Sequence, residues 1–193
     1  FPFGGTGGCA PCRSAVRLTR AIARGHGGVG AGPALGKKWA HSRFRTPYLR
    51  HGLWESGYAV DTMDTAIDWV RVPDAAAGIQ ESIASALQEE GEAVHAFTHL
   101  SHMYSQGSSI YVTYIFRCGD NYDATYARWK KLKAAAAGAI VRFGGTISHQ
   151  HGVGADHLLY LPAEKGALGI AAIRGLLETF DAGQHMNPGK LLP

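Results

Sequence analysis

Residues 108 to 116 read Ser-Ser-Ile-Tyr-Val-Thr-Tyr-Ile-Phe, and no other segment limits the fold as tightly. β-branched and aromatic side chains at this density fit a pleated, half-buried surface, so the run is a strand. Successive strand residues point to opposite faces, and parity sorts this one. Ile110, Val112, Tyr114 and Phe116 form an apolar face suited to packing against helices. Tyr111, Thr113 and Ile115 form the other. If helices cover one side of the sheet, Tyr111 stands on the opposite side, facing solvent or a second domain.

The flanking periodicities supply the helices. Residues 73 to 90 place Ile79, Ile83, Ala86 and Leu87 at helical spacing. Residues 123 to 142 form a longer helix, with Tyr122, Tyr126, Trp129, Leu132, Ala136, Ile140 and Phe143 along one stripe and Gly144-Gly145 as its stop. Short strands are expected at 58 to 61, 94 to 98 and 146 to 148, and a last helix at 163 to 180. The order is β-α-β-β-α-β and then a helix. That predicts an α+β fold of ferredoxin-like, split β-α-β type: an antiparallel sheet with helices on one face. Residues 57–193 are its body, and residues 1–56 an N-terminal appendage. In the appendage a glycine-rich opening at residues 4 to 8 precedes a helix at 11 to 24, and residues 27 to 48, rich in Gly, Pro and basic residues, read as a long irregular connection.

Composition sets the class. With 193 residues, 46% hydrophobic and 18% charged, the chain can bury the core of one globular domain. A net charge of +4 without a clustered footprint argues against nucleic acid. The longest apolar run, at 110 to 116, is too short to cross a bilayer. No leader opens the sequence, and three cysteines make no disulfide framework, so a cytoplasmic setting is expected. Cys9 and Cys12 have redox or zinc spacing, but with Cys118 they fall short of four thiolate ligands. Residue 1 is Phe, which suggests a fragment or a processed chain.

Two features point to chemistry. Lys37, Lys38, Arg43, Arg45 and Arg50 bunch with few acids between them and could hold a small anion. Ser148-His149-Gln150-His151-Gly152-Val153-Gly154 places two histidines on one face if the segment is extended, followed by glycines that permit close approach of another group. Imidazoles titrate near neutral pH and relay protons. They also bind metals, and His99 and His102 could join such a site, although Asp156 is the only nearby carboxylate in sequence. A free-standing anion-binding module of ferredoxin-like fold that does no chemistry is a third reading.

Gly107-Ser108-Ser109-Ile110-Tyr111, the Ser-His-Gln-His-Gly-Val-Gly segment and the ending Met186-Asn187-Pro188-Gly189-Lys190-Leu191-Leu192 together resemble the C-terminal part of FAD-linked oxidases of the vanillyl-alcohol oxidase superfamily. Within it they are most similar to the alkylglycerone-phosphate synthase group (alkyldihydroxyacetonephosphate synthases) and its bacterial relatives. The resemblance covers residues 27 to 193 and implies FAD as cofactor, with chemistry at flavin N5. It makes Tyr111 the proton-transferring residue, with His149 and His151 catalytic beside it, and Arg50 the holder of the substrate's phosphate or carboxylate. It sets His149, Gln150 and Asn187 beside the cofactor and implies no metal. Gln150 departs from the family's pattern, which has a third histidine at the middle position. The implied function is the substrate side of an FAD-dependent oxidoreductase acting on a small anion, or alternatively an ether-lipid-forming transferase. The family's FAD-binding domain is N-terminal and has no counterpart in these residues. The chain alone is therefore expected to be an inactive fragment that holds FAD weakly or not at all, and its open face could pair two copies.

Overall fold

The computed structural model describes residues 10 to 192, so the glycine-rich opening and Cys9 lie outside the described residues. The chain divides into two compact units, one ending at Leu49 and one starting at Arg50. The first holds α1 (Ala10–Gly25) and α2 (Ala34–Ser42), followed by a 3-10 turn at Arg43–Arg45. None of its described side chains between residues 12 and 45 is buried. The irregular connection expected at 27 to 48 is mostly helical, because α3 (Thr46–Glu55) follows directly. The prolines that suggested irregularity stand at helix starts: Pro33 precedes α2, and Pro47 lies in the first turn of α3, where a missing N–H costs nothing.

The second unit contains β1 (Tyr58–Asp68), α4 (Val72–Ser85), β2 (His95–His99), β3 (Gly107–Arg117), α5 (Tyr122–Phe143) and α6 (Leu161–Phe180). The sheet is antiparallel in the order β1-β3-β2. β3 is central, and the parity argument holds along it. Ile110, Val112, Tyr114 and Phe116 are buried in one core with Met63, Ile79, Ile83, Leu132 and Ile140, while Tyr111, Thr113 and Ile115 are only half-buried. Removing each large aliphatic side chain from water contributes about 1.5–3 kcal/mol, so this face holds the unit together. Asn121 starts α5 by accepting the Ala124 N–H at 2.9 Å, and Gly144 ends it at φ +73°. Among the described residues no helix is long and apolar enough to cross a membrane.

Several boundaries differ from expectation. β1 runs on to Asp68 rather than ending at residue 61. α4 stops at Ser85, with a 3-10 turn at Gln88–Glu90, and α6 begins at Leu161 with a break at Gly166 (φ +66°, ψ 173°). The fourth strand expected at 146 to 148 does not form. One backbone bond, Thr146 N–H to the Ala66 carbonyl at 3.2 Å, marks its place beside β1. The backbone is diverted by Glu164, whose carboxylate accepts the Ile147 N–H at 2.7 Å and the Thr146 hydroxyl at 3.0 Å. Further along this edge, Lys133 donates to the Thr62 carbonyl at 2.9 Å, a group that a fourth strand would have used.

Candidate functional site

The strand register builds the floor of the site. Asp64 pairs with Tyr111, and Tyr111 with His99, so one row across three strands presents a carboxylate, a phenol and an imidazole on the open face. The His99 and Tyr111 rings lie 5.1 Å apart, centre to centre.

The wall comes from residues 148 to 154. They form turns rather than the extended segment expected, with Gln150, Gly152 and Gly154 at φ of 54°, 70° and 55°. Three anchors fix these turns. His157 Nδ1 lies 3.1 Å from the Gly152 carbonyl, the His157 N–H donates to the Val153 carbonyl, and the Leu191 N–H donates to the Gly154 carbonyl at 3.0 Å. The C-terminal Asn-Pro-Gly-Lys-Leu segment thus clasps the histidine loop. Both histidines still reach the open face. The His151 ring stands edge-on to Tyr111 at 5.8 Å and 90°. His149 is suspended between two groups, with Nε2 2.8 Å from the Tyr104 hydroxyl and Nδ1 3.0 Å from an Asp64 carboxylate oxygen. The second contact has ion-pair distance but is out of line for a hydrogen bond, and no donor among the described residues bonds either Asp64 oxygen.

The electrostatics favour a base. Burial pushes the His151 imidazole below its ordinary value, and Lys133 and His157 push the same way. Asp64 and Asp61 oppose them without prevailing. His151 is nonetheless exposed, so the shift is a direction only, away from the protonated form. On the opposite face, burial raises the Asp61 carboxyl, but Lys133 at 3.0 Å and the N–H groups of Thr62 and Trp129 outweigh it and hold the group below the usual carboxylate range. Tyr114 donates to Asp61 at 3.1 Å, and burial with that carboxylate drives its phenol far upward, so it stays protonated.

Of the residues expected at the site, Tyr111, His149 and His151 come together. Gln150 does not join them; it is exposed, with its amide nitrogen 3.3 Å from His102 Nε2. Asn187 is an exposed left-handed turn residue (φ 50°) whose carbonyl accepts the Lys190 N–H. Arg50 is exposed on α3, and among the described residues no hydrogen bond, ion pair or ring contact joins it to Tyr111 or the histidines. Of the other basic residues, Arg43 lies over the Trp39 and Phe44 rings. Asp64 and Tyr104 went unrecognised in the sequence. Asp64 shares the parity of the open face, but only a β1 extended past residue 61 brings it opposite Tyr111. No three His, Cys, Asp or Glu side chains among the described residues are grouped as a metal would require.

The sequence model for FAD linked oxidases, C-terminal domain, matches residues 13–191. The alkyldihydroxyacetonephosphate synthase of Dictyostelium discoideum is 29% identical over 164 residues, 85% of this chain and 26% of that protein. The protein of the same name from Trypanosoma brucei brucei is 26% identical over 162 residues, 84% of this chain and 26% of its own length. A solved structure of alkyldihydroxyacetonephosphate synthase matches at a TM-score of 0.60 and 20% identity, over 92% of this chain and 28% of that one, which is a likeness of fold. The chain spans about a quarter of the length of the curated relatives it matches. A single family description thus accounts for the helical N-terminal unit, the sheet and the histidine loop together, and the chain belongs to the C-terminal domain family of FAD linked oxidases.

Proposed function

We propose that this chain forms the substrate side of a flavoenzyme active site, in which Tyr111 with His149 and His151 moves a proton to or from a small anionic substrate. The observation that carries the reading is the convergence of the phenol and both imidazoles on the open face. The site fits a flavin in part: His149 and His151 line the face with ring nitrogens that can hydrogen-bond a planar ring, whereas Gln150 and Asn187 lie away from it as exposed residues. Bound FAD would supply an electrophilic ring system that the protein's own side chains lack. Tyr111 holds or releases the proton at its phenol oxygen, and His151, edge-on beside it, is the group proposed to accept it. Arg50 offers a planar fork of donors for phosphate or carboxylate, and its exposure on α3 leaves that fork accessible.

A second reading, an ether-lipid-forming transferase, is supported by the relatives. The curated synthases named above align over most of the chain. Anaerobic mixing of substrate with the flavin-loaded protein separates the two, since only net oxidation leaves the flavin reduced at the end of turnover.

The proton-transfer role is tested by Tyr111→Phe in the full-length enzyme, this chain together with its FAD-binding domain, with flavin bound. Turnover should fall about 10²–10⁴-fold, the usual worth of general acid–base catalysis, with flavin still bound. Unchanged turnover would remove Tyr111 from the mechanism.

A further inference from the structure

Asp64 is the one buried group of the site that the reading above leaves without a task. It is 2% exposed on the open face of the sheet, and none of the described donors bonds its carboxylate. A buried carboxylate without donors is costly, so a fold that keeps one has a use for it or a compensating partner. The polar group that faces it is His149, whose Nδ1 lies 3.0 Å from the Asp64 Oδ2 and is itself buried without an in-line hydrogen bond. The other ring nitrogen, Nε2, is 2.8 Å from the Tyr104 hydroxyl. One imidazole therefore spans a carboxylate and a phenol.

Hydrogen-bonding capacity limits where the hydrogens can sit. A carboxylate only accepts, and against one the facing ring nitrogen carries the N–H. That leaves Nε2 with its lone pair, and the Tyr104 hydroxyl as its donor. We propose that Asp64 is a positioning residue: it holds His149 as the Nδ1–H tautomer, with Nε2 turned to Tyr104. At 3.0 Å the two atoms are within hydrogen-bond distance, and only the angle of the ring N–H is out of line. Tyr104 is 45% exposed, so it links the buried imidazole to solvent. The inference rests on the reading of His149 as part of the proton-transfer site, and it assigns that histidine its tautomer and its two holders.

The test uses the full chain with ¹⁵N-labelled histidine. Ring nitrogen shifts report the tautomer, and the His149 signals are those lost in His149→Gln. In the unaltered chain His149 should show the Nδ1–H signature. In Asp64→Leu that signature should be lost in favour of Nε2–H. Tyr104→Phe should keep Nδ1–H, since Asp64 still holds that nitrogen. An Nε2–H ring in the unaltered chain overturns the proposal, and so does an unchanged tautomer in Asp64→Leu. If the leucine variant fails to fold, Asp64→Ala, which also lacks an acceptor, takes its place: loss of the Nδ1–H signature supports the proposal, and its retention overturns it. None of these readouts involves flavin or turnover. Failure of the Tyr111→Phe test with Nδ1–H intact therefore counts against the flavoenzyme reading alone, and the reverse pattern counts against Asp64 alone.

Discussion

Asp61 and Asp64 stand on the same strand and face opposite sides of the sheet, and their surroundings give them different work. Asp61 gathers Lys133, Trp129, Tyr114 and the Thr62 N–H, which ties α5 to β1. Because its folded-state carboxyl is held below the ordinary range, it contributes stability that is fully present above the unfolded value of about 3.9 and is lost as pH falls through the lower folded value. Asp61→Asn should therefore destabilise by about 1–3 kcal/mol at pH 7 and by clearly less at pH 3, read by urea denaturation at both values. An equal cost at both pH values would show that charge plays no part. Asp64 has no comparable set of donors, which is why its role is argued toward His149. At this scale the sequence was legible for Tyr111, placed on the open face by strand parity, and showed His149 and His151 as a motif but not the turns that carry them. It was opaque for Asp64 and Tyr104, whose partners are fixed only by cross-strand register and by the turns of a distant loop.

The elements were legible where hydrophobic period and length agreed. β3 and α5 read clearly because their apolar positions repeat at the spacing of the face they bury. β1 read short because Asp61, Asp64 and Asp68 have poor strand propensity, a deficit that tertiary contacts override here through Lys133 and the β3 ladder. The fourth strand failed because competing acceptors and donors took its backbone groups, which no local pattern reveals. Two glycines test the packing of these elements. A Cβ at Gly107 would press into the Ile67 carbonyl, whereas one at Gly138, within α5, would meet open space. Gly107→Ala should destabilise by about 1–3 kcal/mol through overpacking at the β1–β3 pair. Gly138→Ala should stabilise by about 0.4–1 kcal/mol through reduced unfolded-chain entropy. Thermal melts that rank the two variants the other way would refute this placement of β1 against β3.

At the scale of the whole molecule, the chain covers about a quarter of its curated relatives, and its sheet has one face packed by α4 and α5 and one face bearing the site. Burial sends the apolar parity of β3 inward and leaves the phenol and imidazoles outward, so the same alternation that makes the core also makes the site. The account stands or falls on whether Tyr111 and His151 act as one unit on that outward face. The most direct measurement is a double-mutant cycle on turnover in the flavin-loaded full-length enzyme, this chain together with its FAD-binding domain, with Tyr111→Phe, His151→Gln and the pair. If they act together, each single change costs about 10²–10⁴-fold, and the double variant is little worse than the more damaging single one. If the losses instead multiply, the two side chains work independently and the shared site proposed here is wrong.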